Sequence, residues 1–328
     1  MALVPSGPPS ATNSSAATEL PSFTSPFSSR TRELLRRLEL DITLRLDGLL
    51  QGNHRGLVPG HGSDLGETRA YAPGDDVRRI DWNVTARLSD TYIRQTIAER
   101  ELEAWLVVDR SARIDFGTAS CEKRDLVLAA AAAVGFLTNA DGNRIGAVLA
   151  NSVGPPTTLQ ARSSRRHLMH LLHTIADSPR LESSGPTDLA SLLRHTGAVA
   201  RRRGLVVVIS DFWVDNGWLD SIRVLATRHQ VLAVEVVDQR ELALPNVGLL
   251  PVVDPATGNL REIATHKANV RRAYADAATA RRDALATSLR SARVEHLALQ
   301  TDRPWLEDLV SFIAQRRSRL IGSGGGRR

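Results

Sequence analysis

The spacing of apolar residues divides the chain into stretches of different character. Residues 31–50 place leucines and isoleucine at helical spacing, which predicts a helix. Residues 52–100 are rich in glycine and show no sustained period, although short strands are predicted near 68–72 and 91–98. From Glu103 onward, short apolar runs alternate with helical segments, and this alternation predicts a different kind of fold.

Buried strands that alternate with crossover helices predict an α/β fold built on a doubly wound, mostly parallel sheet. The strands are predicted at 103–109, 144–150, 204–211, 230–238 and 294–301, with a hairpin at 248–263 that turns at Pro255–Gly258. The helices are predicted at 121–140, 163–177, 187–202, 218–229, 267–292 and 304–319.

These patterns predict four segments along the chain. Residues 1–30 are rich in Ser, Thr, Pro and Ala, a composition typical of disordered chain. Residues 31–100 are predicted to form a helix and a small, irregular module that contains β-structure. Residues 101–317 form the α/β domain, and 318–328 a flexible basic tail.

Composition indicates the cellular compartment in which the protein is expected. Of the 328 residues 42% are hydrophobic, and Cys121 is the single cysteine. An internal disulfide is therefore excluded, and a reducing compartment is favoured. The sequence contains no apolar run of about 18 residues and no secretory signal at its start, so we expect a cytoplasmic protein without a membrane span.

The formal net charge is +6, which raises the question of nucleic-acid binding. Five arginines and no acid fall in the last thirteen residues. Subtracting this +5 from +6 leaves about +1 for the remaining 315 residues. A nearly neutral body argues against a specific nucleic-acid partner.

Polar residues follow the predicted strands where ligands usually bind in open α/β sheets. Asp109 and Ser111 follow the first strand of the domain, Asp211 follows the most apolar strand, and Thr187 opens the helix before it. Carboxylates and hydroxyls are hard-oxygen ligands suited to Mg²⁺ or Mn²⁺. Either aspartate alone is more typical of a strand-end cap, but their convergence predicts a metal site.

Two sequence motifs resemble known families. The D-x-S pattern at Asp109, with Thr187 and Asp211, resembles the metal-ion-dependent adhesion site of von Willebrand factor A domains. The string RAYAPGDDVRRIDWNVTAR, followed by VVDRSARIDFG, resembles the DUF58 family, bacterial proteins usually encoded beside MoxR-type AAA+ ATPases. The resemblance extends from about Gly56 to Arg317. It implies a von Willebrand factor A-like fold and a non-enzymatic interaction protein whose partner is a MoxR-type ATPase, its client protein, or both.

Arg113 departs from the adhesion-site pattern, in which a serine is usual at this position. If Arg113 points inward, its guanidinium can bond to both carboxylates and replace the cation. If it points outward, Asp109, Ser111, Thr187 and Asp211 still form a usable Mg²⁺ site. The sequence leaves both orientations open, so Mg²⁺ is a possible cofactor.

The charged string around Trp82 shows neither helical nor strand periodicity. We expect it to be either a structural network of polar side chains or a partner-docking surface. In both cases Arg–Asp pairs would hold the string in place and a buried Trp82 would anchor it. A catalytic role lacks a general base nearby. The residues assigned to this surface are Arg69, Tyr71, Gly74, Asp75, Asp76, Arg78, Asp81, Trp82 and Arg87.

An enzymatic alternative is a metal-dependent phosphohydrolase or nuclease that uses Asp109 and Asp211. Phosphatases with an aspartate nucleophile after the first strand typically carry a second aspartate two residues later, where this chain has Ser111. His167, His170 and His173 recur every three residues and are interpreted as a solvated or edge-of-core stripe, because helical metal pairs usually sit four residues apart. We therefore favour the interaction protein.

Overall fold

The computed structural model describes residues 33–42, 68–72, 75, 77, 80–87, 90–94, 102–140, 142–151, 154–180, 187–214, 217–253 and 259–324, without the side chains of 68, 69, 94 and 317–324. The predicted disordered segment 1–30 and the hairpin turn at Pro255–Gly258 lie outside these residues.

Strands are numbered in chain order within the described residues. They are β1 (Thr68–Ala70), β2 (Tyr92–Arg94), β3 (Glu103–Val108), β4 (Arg144–Leu149), β5 (Thr157–Arg162), β6 (Gly204–Ser210), β7 (Gln230–Val237), β8 (Leu249–Val253), β9 (Leu260–Ala264) and β10 (Glu295–Gln300).

Six of these strands form the central sheet, in the order β10-β7-β6-β3-β4-β5. All neighbouring pairs are parallel except β4 with β5, which is antiparallel. The α/β prediction is confirmed, and five of the six central strands lie where the apolar runs predicted them. The sequence reading missed β5, whose residues are mostly half-buried or exposed.

Helices cover both faces of this sheet. They are α1 (residues 33–42), α3 (Lys123–Ala140), α4 (Arg165–Ala176), α5 (Leu189–Val199), α6 (Trp218–Arg228), α7 (Ala268–Ser291) and α8 (Trp305–Gly324), whereas the four-residue α2 (Trp82–Thr85) lies beside β2. Because successive strand residues point to opposite faces, each strand contributes to two cores. Leu106 and Val108 of β3 pack with α3, α4 and α8, whereas Trp105 and Val107 pack with α5 and α6.

The first helix belongs to the domain core even though it precedes the irregular segment. Leu35 and Ile42 of α1 are almost completely buried and join the cluster that contains α3 and α4. Glu39 of α1 also accepts a hydrogen bond from Arg165 at 2.7 Å. The predicted helix over 31–50 is therefore helical at least over 33–42 and forms one wall of the domain.

Two small antiparallel ribbons complete the described structure. One pairs β1 with β2, and the other pairs β8 with β9. No helix within the described ranges is long and apolar enough to cross a bilayer.

Candidate functional site

Asp109 and Asp211 lie at the point where the sheet changes direction. The chain passes from β3 to β4 on one side, and β6 later pairs with β3 on the other. Such a reversal opens a crevice at the carboxyl ends of the strands. The Asp109 N–H donates to the Ile209 carbonyl at 3.0 Å, so the ends of β3 and β6 are held together.

Neutral donors surround Asp109, which is 2% exposed. Its Oδ1 accepts from the Ser111 N–H at 2.9 Å and from the Thr187 hydroxyl at 2.7 Å. Its Oδ2 accepts from the Ser210 hydroxyl at 2.7 Å. The structure thus brings Asp109, Ser111 and Thr187 together, and it adds Ser210, which sequence reasoning had not assigned to the site.

Cations surround Asp211. Its Oδ2 accepts from Lys123 Nζ at 3.0 Å and from Arg113 Nε at 3.4 Å. Lys123 is fully buried at the start of α3 and also donates to Glu241 Oε1 at 2.7 Å. A buried ammonium ion therefore bridges two carboxylates.

The two aspartates have pKa values shifted in opposite directions. Burial, followed by the negative charge of Asp211, raises the pKa of Asp109, and its hydrogen bonds offset only part of that effect. Burial would also raise the pKa of Asp211, but Lys123, the Trp213 N–H and Arg113 together hold it below its ordinary value. Burial alone would lower the pKa of Lys123, but Asp211 and Glu241 raise it.

Arg113 points inward but reaches one aspartate. It bonds to Asp211, and no hydrogen bond joins it to Asp109 among the described residues. Its guanidinium lies 4.9 Å from the centre of the Trp213 ring, and Arg281 of α7 stacks on the same ring at 3.7 Å. The orientation that the sequence left open is thus inward.

The backbone after Asp211 is tightly constrained. Phe212 adopts a positive φ of 51°, an unusual conformation for a residue with a bulky side chain. Its N–H donates to Ser210 Oγ at 3.0 Å, and its carbonyl accepts from Arg281 at 2.9 Å. This turn points the two side chains of Asp211 and Trp213 toward the same crevice.

The charges at Asp211 do not fit a divalent cation. Lys123 and Arg113 already contact its carboxylate, and a second fixed positive charge about 4 Å from a cation costs about 4 kcal/mol at an effective dielectric of about 20. The other half of the site fits a cation better, because the Ser111 hydroxyl is buried and has no hydrogen-bond partner among the described residues. Taken together, the side chains supply a cation of their own at the place where the adhesion-site pattern expects a metal.

Sequence reasoning missed Lys123, and a signal for it existed. The chain has only two lysines, Lys123 and Lys267, among 42 basic residues. Lys123 begins a helix whose side chains are mostly apolar and buried. A charge at the start of such a helix, close behind a strand-end loop, indicates a buried partner of opposite sign.

The charged string differs from its prediction at Trp82. Trp82 is 69% exposed, so the expectation of a buried anchor was wrong. The buried residue is its neighbour Asp81, whose Oδ1 caps α2 by accepting from the Asn83 and Val84 N–H groups. The aromatic ring faces solvent because the short helix turns its polar cap inward.

The rest of the string is described in part. Asp75 accepts from the Ala72 N–H at 2.8 Å, and the Tyr71 N–H donates to Thr91 at 2.7 Å. Arg87 is exposed. Gly74, Asp76 and Arg78, and the side chain of Arg69, lie outside the described structure.

The three histidines of α4 have separate environments. His167 Nε2 bonds to the Ile145 carbonyl at 3.1 Å, and His173 Nδ1 bonds to the Met169 carbonyl at 2.6 Å. His173 is buried and His170 is exposed, which agrees with a stripe at the edge of the core. Within the described ranges, no three His, Cys, Asp or Glu side chains converge to hold a metal.

Comparison with known proteins identifies relatives of this chain. The family described as "Protein of unknown function DUF58" matches residues 67–284. The chain is 49% identical to "Uncharacterized protein Rv1480" of Mycobacterium tuberculosis over 283 residues, 86% of this chain and 89% of that protein. It is also 40% identical to "Uncharacterized protein MAV169" of Mycobacterium avium over 161 residues, 49% of this chain and 95% of that protein.

Solved structures with a similar arrangement include von Willebrand factor A domains. The conserved hypothetical protein BatB of Bacteroides thetaiotaomicron has 13% identity and a TM-score of 0.40, covering 66% of this chain and 99% of BatB. The SpRpn10 VWA domain has 10% identity and a TM-score of 0.37, covering 64% of this chain and 94% of that domain.

Proposed function

This chain belongs to the DUF58 family, and we propose that it is a non-enzymatic adaptor that binds a protein partner at the carboxyl ends of β3 and β6. The observation that carries the proposal is the internal neutralisation of Asp211 by Lys123 and Arg113. A site that carries its own cations can receive an acidic group without a metal ion.

Arg113 is the cation of the pair that remains accessible. Its side chain is 20% exposed, whereas Lys123 is fully buried. The half-buried Trp213 ring supports the guanidinium from one side. A carboxylate of the partner can therefore form charge-assisted hydrogen bonds with the free edge of Arg113.

An enzymatic role is less well supported by the same contacts. Both oxygens of Asp109 accept hydrogen bonds, and Asp211 is held in ion pairs. Neither carboxylate is left as a free nucleophile or general base. The phosphohydrolase or nuclease alternative requires one of them to be available.

The proposed partner is a MoxR-type AAA+ ATPase or its client, which the family resemblance implies. The adaptor would hold the client or the ATPase through the Arg113 surface during assembly or maturation. Mg²⁺ is not required in this proposal, because Lys123 and Arg113 supply the positive charge.

Binding to the purified MoxR-type ATPase of the same host tests the proposal directly. We expect Arg113→Ala to weaken binding at least tenfold, the equivalent of about 1.4 kcal/mol. A chelator should have no effect. The matched control is Arg223→Ala, since Arg223 is an exposed arginine that bonds to Ser291 at the far end of α7.

Two results would overturn the proposal. Release of the ATPase by chelator would show that a metal, and not Arg113, completes the interface. Metal-dependent hydrolysis of phosphoesters that disappears in Asp109→Asn would favour the enzymatic alternative. If the ATPase fails to bind, affinity purification from the native host with the same variants tests the client protein.

A further inference from the structure

A cleft of about 1050 Å³ lies beside the strand-end site, between α1 and the loop that follows β3. The starts of α3 and α8 and the end of α4 form its other walls. Its size is that of a site for an organic ligand and exceeds the volume of a simple ion.

Two adjacent residues present unsatisfied polar atoms at this cleft. Arg110 Nε and Ser111 Oγ are buried, and neither has a hydrogen-bond partner among the described residues. Ser111 is only 6% exposed as a whole. A buried donor without a partner costs about 1–3 kcal/mol, so two neighbouring ones indicate a missing acceptor.

Three of the other four arginines of the cleft already have carboxylate partners: Arg37, Arg124 and Arg180. Arg124 pairs with Asp115 at 3.0 Å and donates to the Ser178 carbonyl at 2.7 Å. Arg37 of α1 pairs with Glu33 at 3.1 Å. Burial, and then the charge of Arg124, lower the pKa of Arg110, and the carboxylate of Asp115 offsets only part of that effect. A further negative group beside Arg110 would therefore be stabilising. An anion bound in the cleft would thus be stabilised most at Arg110.

We propose that this cleft binds a single carboxylate carried on an apolar stem, with Arg110 and Ser111 donating to the carboxylate. An arginine fork matches the two oxygens of a carboxylate, and the serine hydroxyl adds a third donor. The stem would lie against apolar side chains of the cleft. These include Leu34, Leu38, Ile114, Ile175 and Trp305.

The overall charge of the lining favours one negative charge over several. Five arginines and five acidic residues line the cleft, so its field as a whole is close to neutral. A single carboxylate at Arg110 and Ser111 would lie near Asp109 and Asp115, whereas a polyphosphate would extend to more of the acidic residues of the cleft. The proposal does not depend on the partner protein proposed above, since a free acid and an acidic side chain share this chemistry.

Calorimetric titration of the full chain with octanoate tests the proposal. We expect wild type to bind octanoate with a dissociation constant of about 1 mM or lower, and octanol at least tenfold more weakly. Arg110→Met should weaken octanoate binding at least tenfold, because it removes the charge and the N–H donors but keeps an unbranched apolar side chain. Ser111→Ala should weaken it several-fold. The matched control is Arg37→Met, because Arg37 lines the same cleft but is paired with Glu33. This variant should bind octanoate within twofold of the wild-type affinity.

A second probe distinguishes the two sources of the carboxylate. The blocked peptide acetyl-Leu-Leu-Glu-Leu-Leu-amide presents one acidic side chain between apolar residues. If it displaces octanoate and binds more tightly, the site receives a protein segment; if it does not, the site receives a free organic acid. Octanoate that fails to bind wild type, or that binds Arg110→Met equally well, would overturn the proposal, whatever the result for the ATPase.

Discussion

Asp109 and Asp211 follow neighbouring parallel strands, yet their surroundings are opposite. Asp109 is held by a backbone N–H and two hydroxyls, all neutral donors. Asp211 is held by an ammonium, a guanidinium and a backbone N–H. The pKa is raised at Asp109 and lowered at Asp211.

The difference shows that two equivalent positions in a fold can serve different purposes. Asp109 ties three chain segments together, because Ser111 follows β3, Thr187 precedes α5 and Ser210 ends β6. Asp211 sets the position of charged side chains from the loop after β3 and from α3. The first is a structural junction, and the second determines the electrostatic character of the crevice.

Removing the cation at Asp211 should have the largest effect. Lys123→Met leaves Asp211 and Glu241 without their shared ammonium, and breaking a buried ion pair from one side typically costs about 3–5 kcal/mol. Urea unfolding at pH 7 measures the change. Lys267→Met is the matched control, because Lys267 is exposed and the chain has no other lysine. A loss below about 1 kcal/mol in Lys123→Met would mean that the buried pair is readily replaced by apolar packing.

Neutralising the aspartates one at a time should give unequal losses. We expect Asp211→Asn to cost about 1–3 kcal/mol at pH 7, because Lys123 loses a charged acceptor. Asp109→Asn should cost about 1 kcal/mol or less, because one amide oxygen still accepts and the repulsion from Asp211 disappears. Equal losses would show that the two environments do not differ in energy.

The pH dependence of the free energy of unfolding should also distinguish Asp109 from Asp211. Because its folded pKa is lowered, Asp211 contributes stability above pH 3.8 that is lost as the pH falls through the folded value. Asp109 acts in the other sense: its raised folded pKa makes ionisation unfavourable to folding as the pH rises above 3.8. Urea midpoints between pH 3 and pH 7 should therefore rise less with pH in Asp211→Asn, and more in Asp109→Asn, than in wild type.

The smallest effects concern Asp81 and Trp82, a second pair with contrasting surroundings. Asp81→Ala removes the cap of α2 and should cost about 1 kcal/mol. Trp82→Ala removes an exposed ring and should change the free energy of unfolding by less than about 0.5 kcal/mol. Thermal unfolding of both variants checks the order. A larger loss for Trp82→Ala would show that its ring packs against a surface in solution.

The strand-end site was predictable because it depends on topology. Apolar runs located β3 and β6, and parallel strands place the residues after them at one edge of the sheet. The assignment of Asp109, Ser111, Thr187 and Asp211 as site residues remains a prediction, although the structure brings them together. Strand β5 was not predictable in the same way, because an edge strand with mixed burial lacks a continuous apolar run.

Burial of individual polar residues was harder to predict than the elements themselves. Lys123 and Trp82 both depart from the burial that is usual for their residue types, since the lysine is buried and the tryptophan is exposed. Each exception depends on a long-range or local partner. Asp211 lies 88 positions from Lys123, and the cap at Asp81 sets the orientation of α2. Periodicity in a short window contains neither piece of information.

The two lysines also give the folded protein an unusual response to amine-reactive reagents. Acylation requires a neutral, accessible amine, and Lys123 is both buried and held protonated, since its pKa is raised by Asp211 and Glu241. Lys267 is exposed and should be modified at once. Slow labelling at Lys123 would then report how often the end of the sheet opens, because modification can occur only in the opened state. The rate at which Lys123 is labelled thus measures how often its buried contacts with Asp211 and Glu241 open.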